Sequence, residues 1–211
     1  MDATYWSNHR DWLKATPERL VIKYKIESDL SKILRQTKVK TVLDLACGFG
    51  VWFPLYSDLG LQVTGVDFSG ERLQVARQVI AEFGLKGISL VEADLFNPEV
   101  YKTVRGTGSA YDLVMLSYVL QHLLPDQVKW IIEQIRDLAT YVIVISYYSE
   151  PATAFIKRYE TMCKRNAVHP YSFEKHFNSI AYDYPSLFKL PYTLCQYPLD
   201  NALLLFRRQQ Q

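Results

Sequence analysis

The chain has 211 residues, of which 49% are hydrophobic, and its formal net charge is +2. This hydrophobic content suits one packed domain and argues against disorder, while the balanced charge argues against electrostatic binding to nucleic acid or membranes. No apolar run approaches the roughly 20 residues that a membrane helix needs, and the first residues lack the pattern of a secretory signal. The three cysteines, Cys47, Cys163 and Cys195, are too widely spaced to indicate a disulfide framework or a zinc site. We therefore expect a single cytoplasmic domain.

Short apolar runs alternate with helical patterns along most of the chain. The predicted strands are 41–45, 62–66, 88–91, 112–116 and 141–146, and the predicted helices lie within 17–34 and at 53–59, 69–83 and 125–138. This alternation favours a parallel sheet covered on both faces. Two later strand-like runs, 192–197 and 202–207, are joined by a short turn, which favours an antiparallel pair. The predicted fold class is α/β: a Rossmann-like, mostly parallel sheet with helices on both faces and a C-terminal antiparallel hairpin strand.

The first predicted strand runs directly into a turn of small residues, which reads Asp-Leu-Ala-Cys-Gly-Phe-Gly over 44–50. Small residues let the backbone bend tightly and let a ligand approach closely, and the amides at the start of the following helix favour a negative group. A dinucleotide-binding turn carries a third small residue where this chain has Phe53. Because Phe53 would block close packing of the helix on the strand, a nicotinamide or flavin dinucleotide is disfavoured.

Acidic residues follow the next two predicted strands. Asp67 lies roughly 20 residues after the glycine turn, where a carboxylate is placed to bind a ribose diol, and Phe68 beside it can pack on an adenine face. Asp94, after the third strand, can accept a hydrogen bond from an exocyclic amine. The structural alternatives are a helix-capping role for Asp67 and core packing for Phe68.

Taken in order, these features resemble the class I S-adenosylmethionine-dependent methyltransferases over about residues 39–146. The resemblance implies S-adenosylmethionine as the cofactor. In chain order, the implied cofactor-binding residues are Asp44, Ala46, Gly48, Gly50, Asp67, Phe68, Asp94, Leu95 and Ser117. Asp44, Ala46, Gly48 and Gly50 match the family's glycine motif, and Asp67 matches its ribose-binding acid. Phe68, Asp94 and Leu95 match its adenine contacts, and Ser117 matches a residue near the methionine part.

The predicted catalytic residues are His122 and Tyr118, which follow the fourth strand at the edge where ligands bind in open parallel sheets. A hydroxyl or ammonium acceptor must lose a proton, and the unperturbed pKa of histidine suits that transfer, whereas a carboxylate or thiolate acceptor needs no base. Tyr118 could orient the acceptor. The structural alternatives are a helix start at His122 and packing at Tyr118. No metal-ligand spacing is recognisable, so no metal is predicted.

The acceptor is predicted to be a small molecule or a peptide. The Asn/Asp-Pro-Pro-aromatic signature of base-amino methyltransferases is absent and basic patches are sparse, so the sequence argues against nucleic acid as a partner. Two alternatives share the cofactor: a non-catalytic S-adenosylmethionine-binding partner subunit, and another transferase that uses the sulfonium, such as an aminopropyltransferase. The sequence does not indicate an oligomeric state.

We expect one methyltransferase domain over residues 1–211. Its predicted parts are an N-terminal helical cap (1–38), a cofactor-binding core (39–147), a substrate lid (148–185) and terminal strands (186–211). The predicted lid is too long for a simple connection between two strands, and such insertions often cover binding sites. A decoration of the surface is the alternative.

Overall fold

The computed structural model describes residues 17–105, 111–148, 182–183, 192–193 and 200–208. The helices are α1 Pro17–Thr37, α2 Phe53–Asp58, α3 Gly70–Glu82, α4 Pro98–Arg105 and α5 Pro125–Ile135, with a 3₁₀ turn at Leu120–His122. The strands are β1 Thr41–Leu45, β2 Gln62–Asp67, β3 Ile88–Glu92, β4 Tyr111–Ser117, β5 Ala139–Tyr148, β6 Tyr182–Asp183, β7 Tyr192–Thr193 and β8 Asp200–Arg208.

The strands form one sheet in the order β3-β2-β1-β4-β5-β8-β6, and β7 also pairs with β8. The first five strands are parallel, whereas β8 runs antiparallel to β5, β6 and β7. This arrangement confirms the predicted fold class, including the antiparallel pair at the C-terminal end. The chain adds β2 and β3 on one side of β1 and then β4 on the other, so the strand order reverses between β1 and β4.

Both faces of the sheet are covered, because neighbouring residues of each central strand enter different cores. Val42, Leu113 and Ile143 pack with apolar residues of α1, α2 and α3 on one face. Leu43 and Val114 pack on the opposite face with apolar residues of α4 and α5. Burial on both faces requires an almost continuous apolar run in each strand, which explains why the central strands are predictable from the sequence.

The helix boundaries follow local capping chemistry. Ser69 precedes α3, and its hydroxyl accepts the Arg72 N–H at 3.4 Å, so Ser69 caps this helix. Helix α5 begins at Pro125, where the Gln127 side chain accepts the Leu124 N–H, but it ends at Ile135, three residues before the predicted end. Helix α4 lies outside the predicted elements.

Several predictions concern residues outside the described ranges. The predicted lid is described only at Tyr148, which ends β5, and at Tyr182–Asp183, which forms β6. The predicted strand 192–197 is described only at Tyr192–Thr193. Cys163 and Cys195 lie outside these ranges too. Within the described parts of the chain, none of the helices combines the length and the apolar character needed to cross a membrane.

Candidate active site

The loop after β1 is built from residues that accept a left-handed backbone. Ala46, Gly48 and Gly50 have φ angles of 60°, 56° and 74°. The Cys47 N–H donates to the Val66 carbonyl at 3.0 Å, and the Gly50 N–H donates to the Cys47 carbonyl at 2.9 Å. The loop therefore lies against the end of β2 and closes as a tight turn. Ala46 adopts a left-handed conformation that glycine adopts more easily, so the loop holds this alanine at a conformational cost.

Phe53 does not block the packing of α2 on the sheet, which corrects the physical reason for disfavouring a dinucleotide. Its ring is fully buried and fills the space beside two glycines. A Cβ atom would lie 2.1 Å from this ring at Gly50 and 2.9 Å from it at Gly65 in β2. The chain therefore places small residues around a large one, whereas a dinucleotide motif places a small residue at the helix itself.

Asp67 ties the glycine loop to the end of β2. Its Oδ2 accepts the Gly48 N–H at 2.9 Å, and its Oδ1 accepts the Ser69 N–H at 2.9 Å. Each carboxylate oxygen has two lone pairs, so each retains one acceptor position for a ligand. Burial raises the pKa of Asp67, while these backbone N–H groups and the charge of Arg72 oppose the increase. The helix cap itself is Ser69, so the capping alternative does not account for Asp67.

Asp44 is the second buried acid of the site and is only 2% exposed. Burial, reinforced by the charge of Asp67 and opposed by the Tyr56 hydroxyl, raises the pKa of Asp44 to about 8. Among the described residues, neither Oδ1 of Asp44 nor the Tyr56 hydroxyl has a hydrogen-bond partner of standard geometry. Unpaired buried polar atoms are rare and costly, and Oδ1 of Asp44 is such an atom at the carboxyl end of β1.

Arg72 is a site residue that the sequence analysis missed. It lies in the first turn of α3, and its guanidinium carbon is 5.3 Å from the centre of the Phe49 ring. A Cβ atom at Gly48 would lie 4.0 Å from its Nη1. Burial lowers the pKa of Arg72, and the charge of Asp67 opposes this effect. The only signal in the sequence is an arginine one turn after the acid of β2.

Two hydrogen bonds hold the end of β4, one from Trp52 and one to β5. Ser117 Oγ accepts the indole N–H of Trp52 at 2.9 Å. Tyr118 follows with a φ of 52°, a left-handed conformation that is unusual for a tyrosine, and its N–H donates to the Ile145 carbonyl at 2.7 Å. The chain therefore turns sharply at the carboxyl end of β4, beside the glycine loop.

A buried polar chain links the turn after β4 to the end of β5. Ser146 Oγ donates to Gln121 Oε1 at 2.7 Å, and Gln121 Nε2 lies 3.4 Å from His122 Nε2. His122 is 7% exposed, whereas Gln121 is fully buried. With its oxygen facing Ser146, the Gln121 amide directs its NH₂ group toward His122, which leaves that ring nitrogen as the acceptor.

The other predicted contacts lie at the ends of β2 and β3. Phe68 is 37% exposed, so its ring is accessible and does not belong to the core, which removes the structural alternative for this residue. Asp94 is exposed, and its Oδ1 accepts the Phe96 N–H at 2.9 Å. The Leu95 side chain instead packs in the core, and its carbonyl accepts the Tyr101 hydroxyl at 2.8 Å. Its adenine contact stays a prediction.

These groups meet where the strand order reverses, at the carboxyl ends of β1, β2 and β4. Open α/β sheets bind their ligands in the crevice at this point. The described residues include no group of three or more His, Cys, Asp or Glu side chains that could hold a metal ion. Fold and site together define an α/β protein with two buried acids, Asp44 and Asp67, at the carboxyl ends of its parallel strands.

Comparison with known proteins shows similarity to methyltransferases. Residues 42–140 match a family model described as a methyltransferase domain. The chain is 36% identical to the ubiquinone biosynthesis O-methyltransferase of Serratia proteamaculans over 87 residues, which are 41% of this chain and 33% of that protein. It is 27% identical to the demethylmenaquinone methyltransferase of Listeria monocytogenes over 123 residues, which are 57% of this chain and 48% of that protein. The chain thus spans between a third and a half of the length of these relatives.

Solved structures share the fold at lower identity. Magnesium protoporphyrin IX methyltransferase from Synechocystis PCC 6803, solved with bound SAH, matches with a TM-score of 0.75 and 16% identity over 99% of this chain and 96% of that chain. An O-methyltransferase family protein from Burkholderia thailandensis matches with a TM-score of 0.67 and 18% identity over 91% of this chain and 57% of that chain. Residues 42–140 thus match a methyltransferase-domain family, in agreement with the predicted resemblance to the class I S-adenosylmethionine-dependent methyltransferases.

Proposed function

We propose that the protein is an S-adenosylmethionine-dependent methyltransferase that acts on a small molecule or a peptide. The observation that carries this proposal is the direct bond between the glycine loop and Asp67, in which the Gly48 N–H donates to Oδ2 at 2.9 Å. It joins the two most characteristic parts of the family's cofactor site within the segment that matches the methyltransferase domain.

The residues of the site fit this cofactor. Asp67 retains acceptor positions for the two ribose hydroxyls, and Phe68 offers an accessible ring for the adenine. The unpaired Oδ1 of Asp44 suits the ammonium of the methionine part. When bound, S-adenosylmethionine supplies an electrophilic methyl group, so the protein needs mainly to hold a nucleophile in line and to exclude water.

His122 and Tyr118 are the residues that we propose on the acceptor side. They follow β4, beside the glycine loop, and the Ser146–Gln121 pair holds the His122 ring in one orientation. In this role, His122 takes a proton from a hydroxyl or ammonium acceptor through Nε2, which requires that this nitrogen exchange its contact with the Gln121 amide for the acceptor. The names of the relatives include methyl transfer to oxygen, and an oxygen acceptor that is a hydroxyl needs such a base.

The proposal is tested first by binding and then by turnover. Titration calorimetry with S-adenosylmethionine and S-adenosylhomocysteine should show that both bind at one site. Incubation of the protein with methyl-labelled cofactor and a panel of phenols, carboxylic acids, amines and peptides should then label one chemical class. Binding without transfer to any acceptor would favour the non-catalytic partner subunit, and the absence of binding would refute the proposal.

Asp67→Ala is expected to weaken the binding of S-adenosylhomocysteine by about 1.5–3 kcal/mol, the usual contribution of hydrogen bonds to a charged group. The matched control is Glu92→Ala, because Glu92 ends the adjacent strand in register with Asp67 and is exposed. This control should bind normally, since it removes a nearby negative charge without removing the ribose acceptor. Equal losses in the two variants, measured by calorimetry, would show that Asp67 acts only through general electrostatics.

A further inference from the structure

The indole of Trp52 and the hydroxyl of Ser117 connect the two sides of the cofactor crevice. Trp52 lies between the glycine loop and α2, whereas Ser117 ends β4, and the distance from Nε1 to Oγ is 2.9 Å. Trp52 is 3% exposed, so its ring is held by the core, while Ser117 is partly exposed at the edge of the sheet. A rigid donor thus meets a hydroxyl that a ligand can reach.

The directions of the hydrogens in this contact follow from the chemistry of the two groups. An indole nitrogen can only donate a hydrogen bond, so the Ser117 oxygen must accept it. A serine hydroxyl has one hydrogen, and the Ser117 hydrogen must therefore be donated to a group other than Trp52. The hydrogen bonds among the described residues provide no acceptor for it. Trp52 thereby makes the Ser117 hydroxyl a donor that is held ready for a ligand.

We propose that Trp52 is a positioning residue, which fixes the Ser117 hydroxyl as the donor that recognises the carboxylate of the ligand's amino-acid part. The inference rests on the proposed function. In that part of the ligand the carboxylate is the strong acceptor, whereas the ammonium can only donate. Asp44 and Asp67 are not available to the carboxylate, because they are the acceptors that we propose for the ammonium and the ribose hydroxyls. A neutral donor on the opposite side of the crevice, at the end of β4, meets this requirement.

The test compares two ligands that differ in the amino-acid part. S-adenosylhomocysteine carries the carboxylate, whereas 5′-methylthioadenosine lacks it but retains the adenine, the ribose and a thioether. Trp52→Phe keeps an aromatic ring and removes the N–H donor. We expect this variant to bind S-adenosylhomocysteine roughly threefold to tenfold more weakly, the usual effect of one hydrogen bond. Its affinity for 5′-methylthioadenosine should change by less than about twofold, because that ligand does not contact Ser117.

Ser117→Ala provides an independent test and guards against a Trp52 variant that folds poorly. It should show the same selectivity between the two ligands, and Trp52→Phe should add no further loss in the Ser117→Ala background, because Trp52 acts through the serine hydroxyl. Trp130→Phe is the matched control, since Trp130 is a partly buried tryptophan on α5 that packs against Phe96 and Tyr101. This control should bind both ligands normally.

Two results would overturn the inference: equal losses for both ligands, or additive losses in the double variant. Either result would show that Trp52 acts only by packing the loop. Thermal unfolding of each variant, recorded without ligand, separates this outcome from a general loss of folded protein. If the unmodified protein binds neither ligand, the proposed function fails and the inference fails with it. If it binds both ligands and the variants show no selectivity, only the inference fails.

Discussion

Gly50→Ala is expected to destabilise the protein far more than Gly60→Ala, although both glycines have a left-handed backbone with φ angles of 74° and 68°. A Cβ atom at Gly60 would meet no atom within 4 Å, so this substitution carries only the conformational cost of about 1–2 kcal/mol. At Gly50 the same atom would lie 2.1 Å from the Phe53 ring. Overpacking of this kind typically adds about 1–3 kcal/mol.

The measurement is the free energy of unfolding from urea titrations of the two variants and the unmodified protein. The difference between the variants isolates the contact with Phe53, because the backbone cost is common to both. In a Phe53→Leu background, Gly50→Ala should lose much of its additional cost, since a smaller side chain leaves room for the methyl group. Equal destabilisation by Gly50→Ala and Gly60→Ala would show that the ring moves freely, and the packing account of the loop would be wrong.

The parts of the fold that the sequence predicts are those set by continuous patterns. Strand β1 has the predicted bounds, because Thr41–Leu45 is a short apolar run that is buried on both faces. Helix α4 is not predicted because it spans only two turns, in which the buried neighbours Val100 and Tyr101 are separated from Val104 by two exposed polar residues. The end of α5 was placed too late because Leu138 is buried although it follows the helix.

The candidate site is predictable where one motif carries the chemistry and unpredictable where distant residues meet. Gly48 and Asp67 belong to recognisable patterns, so their juxtaposition follows from the family resemblance. The contact between Trp52 and Ser117 joins residues 65 positions apart, and nothing in either local sequence indicates it. The role of Phe53 depends on Gly65, in a strand that the motif does not include. Such contacts emerge only when the topology brings the strand ends together.

Asp44→Asn is expected to stabilise the ligand-free protein at pH 8, because Asp44 is buried with one unpaired oxygen and lies near Asp67. The pKa of Asp44 rises from 3.8 to about 8 on folding. Between these pH values the unfolded chain has lost the proton and the folded protein retains it, so the wild-type free energy of unfolding falls as the pH increases. The slope is at most about 1.4 kcal/mol per pH unit for one group, which gives a total on the order of a few kcal/mol.

Urea titrations at several pH values between 4 and 9 test this expectation. The advantage of Asp44→Asn over the unmodified protein should be small at pH 4, should grow up to about pH 8 and should then level off. Asp112→Asn is the control, because Asp112 lies at the opposite edge of the sheet and its Oδ2 accepts hydrogen bonds from Lys40 and Thr41. This variant should be less stable than the unmodified protein. A constant difference between Asp44→Asn and the unmodified protein would contradict the assigned pKa.

The same substitution is expected to weaken the binding of S-adenosylhomocysteine by roughly tenfold or more, because the carboxylate that destabilises the empty site is the acceptor we propose for the ligand's ammonium. A binding-site residue often destabilises the ligand-free protein and yet favours ligand binding. A substitution that removes such a residue therefore raises stability and reduces function. Calorimetry of Asp44→Asn near pH 8 measures the loss. If the variant is both more stable and equally able to bind, Asp44 is not a ligand contact, and its burial serves no purpose in recognition.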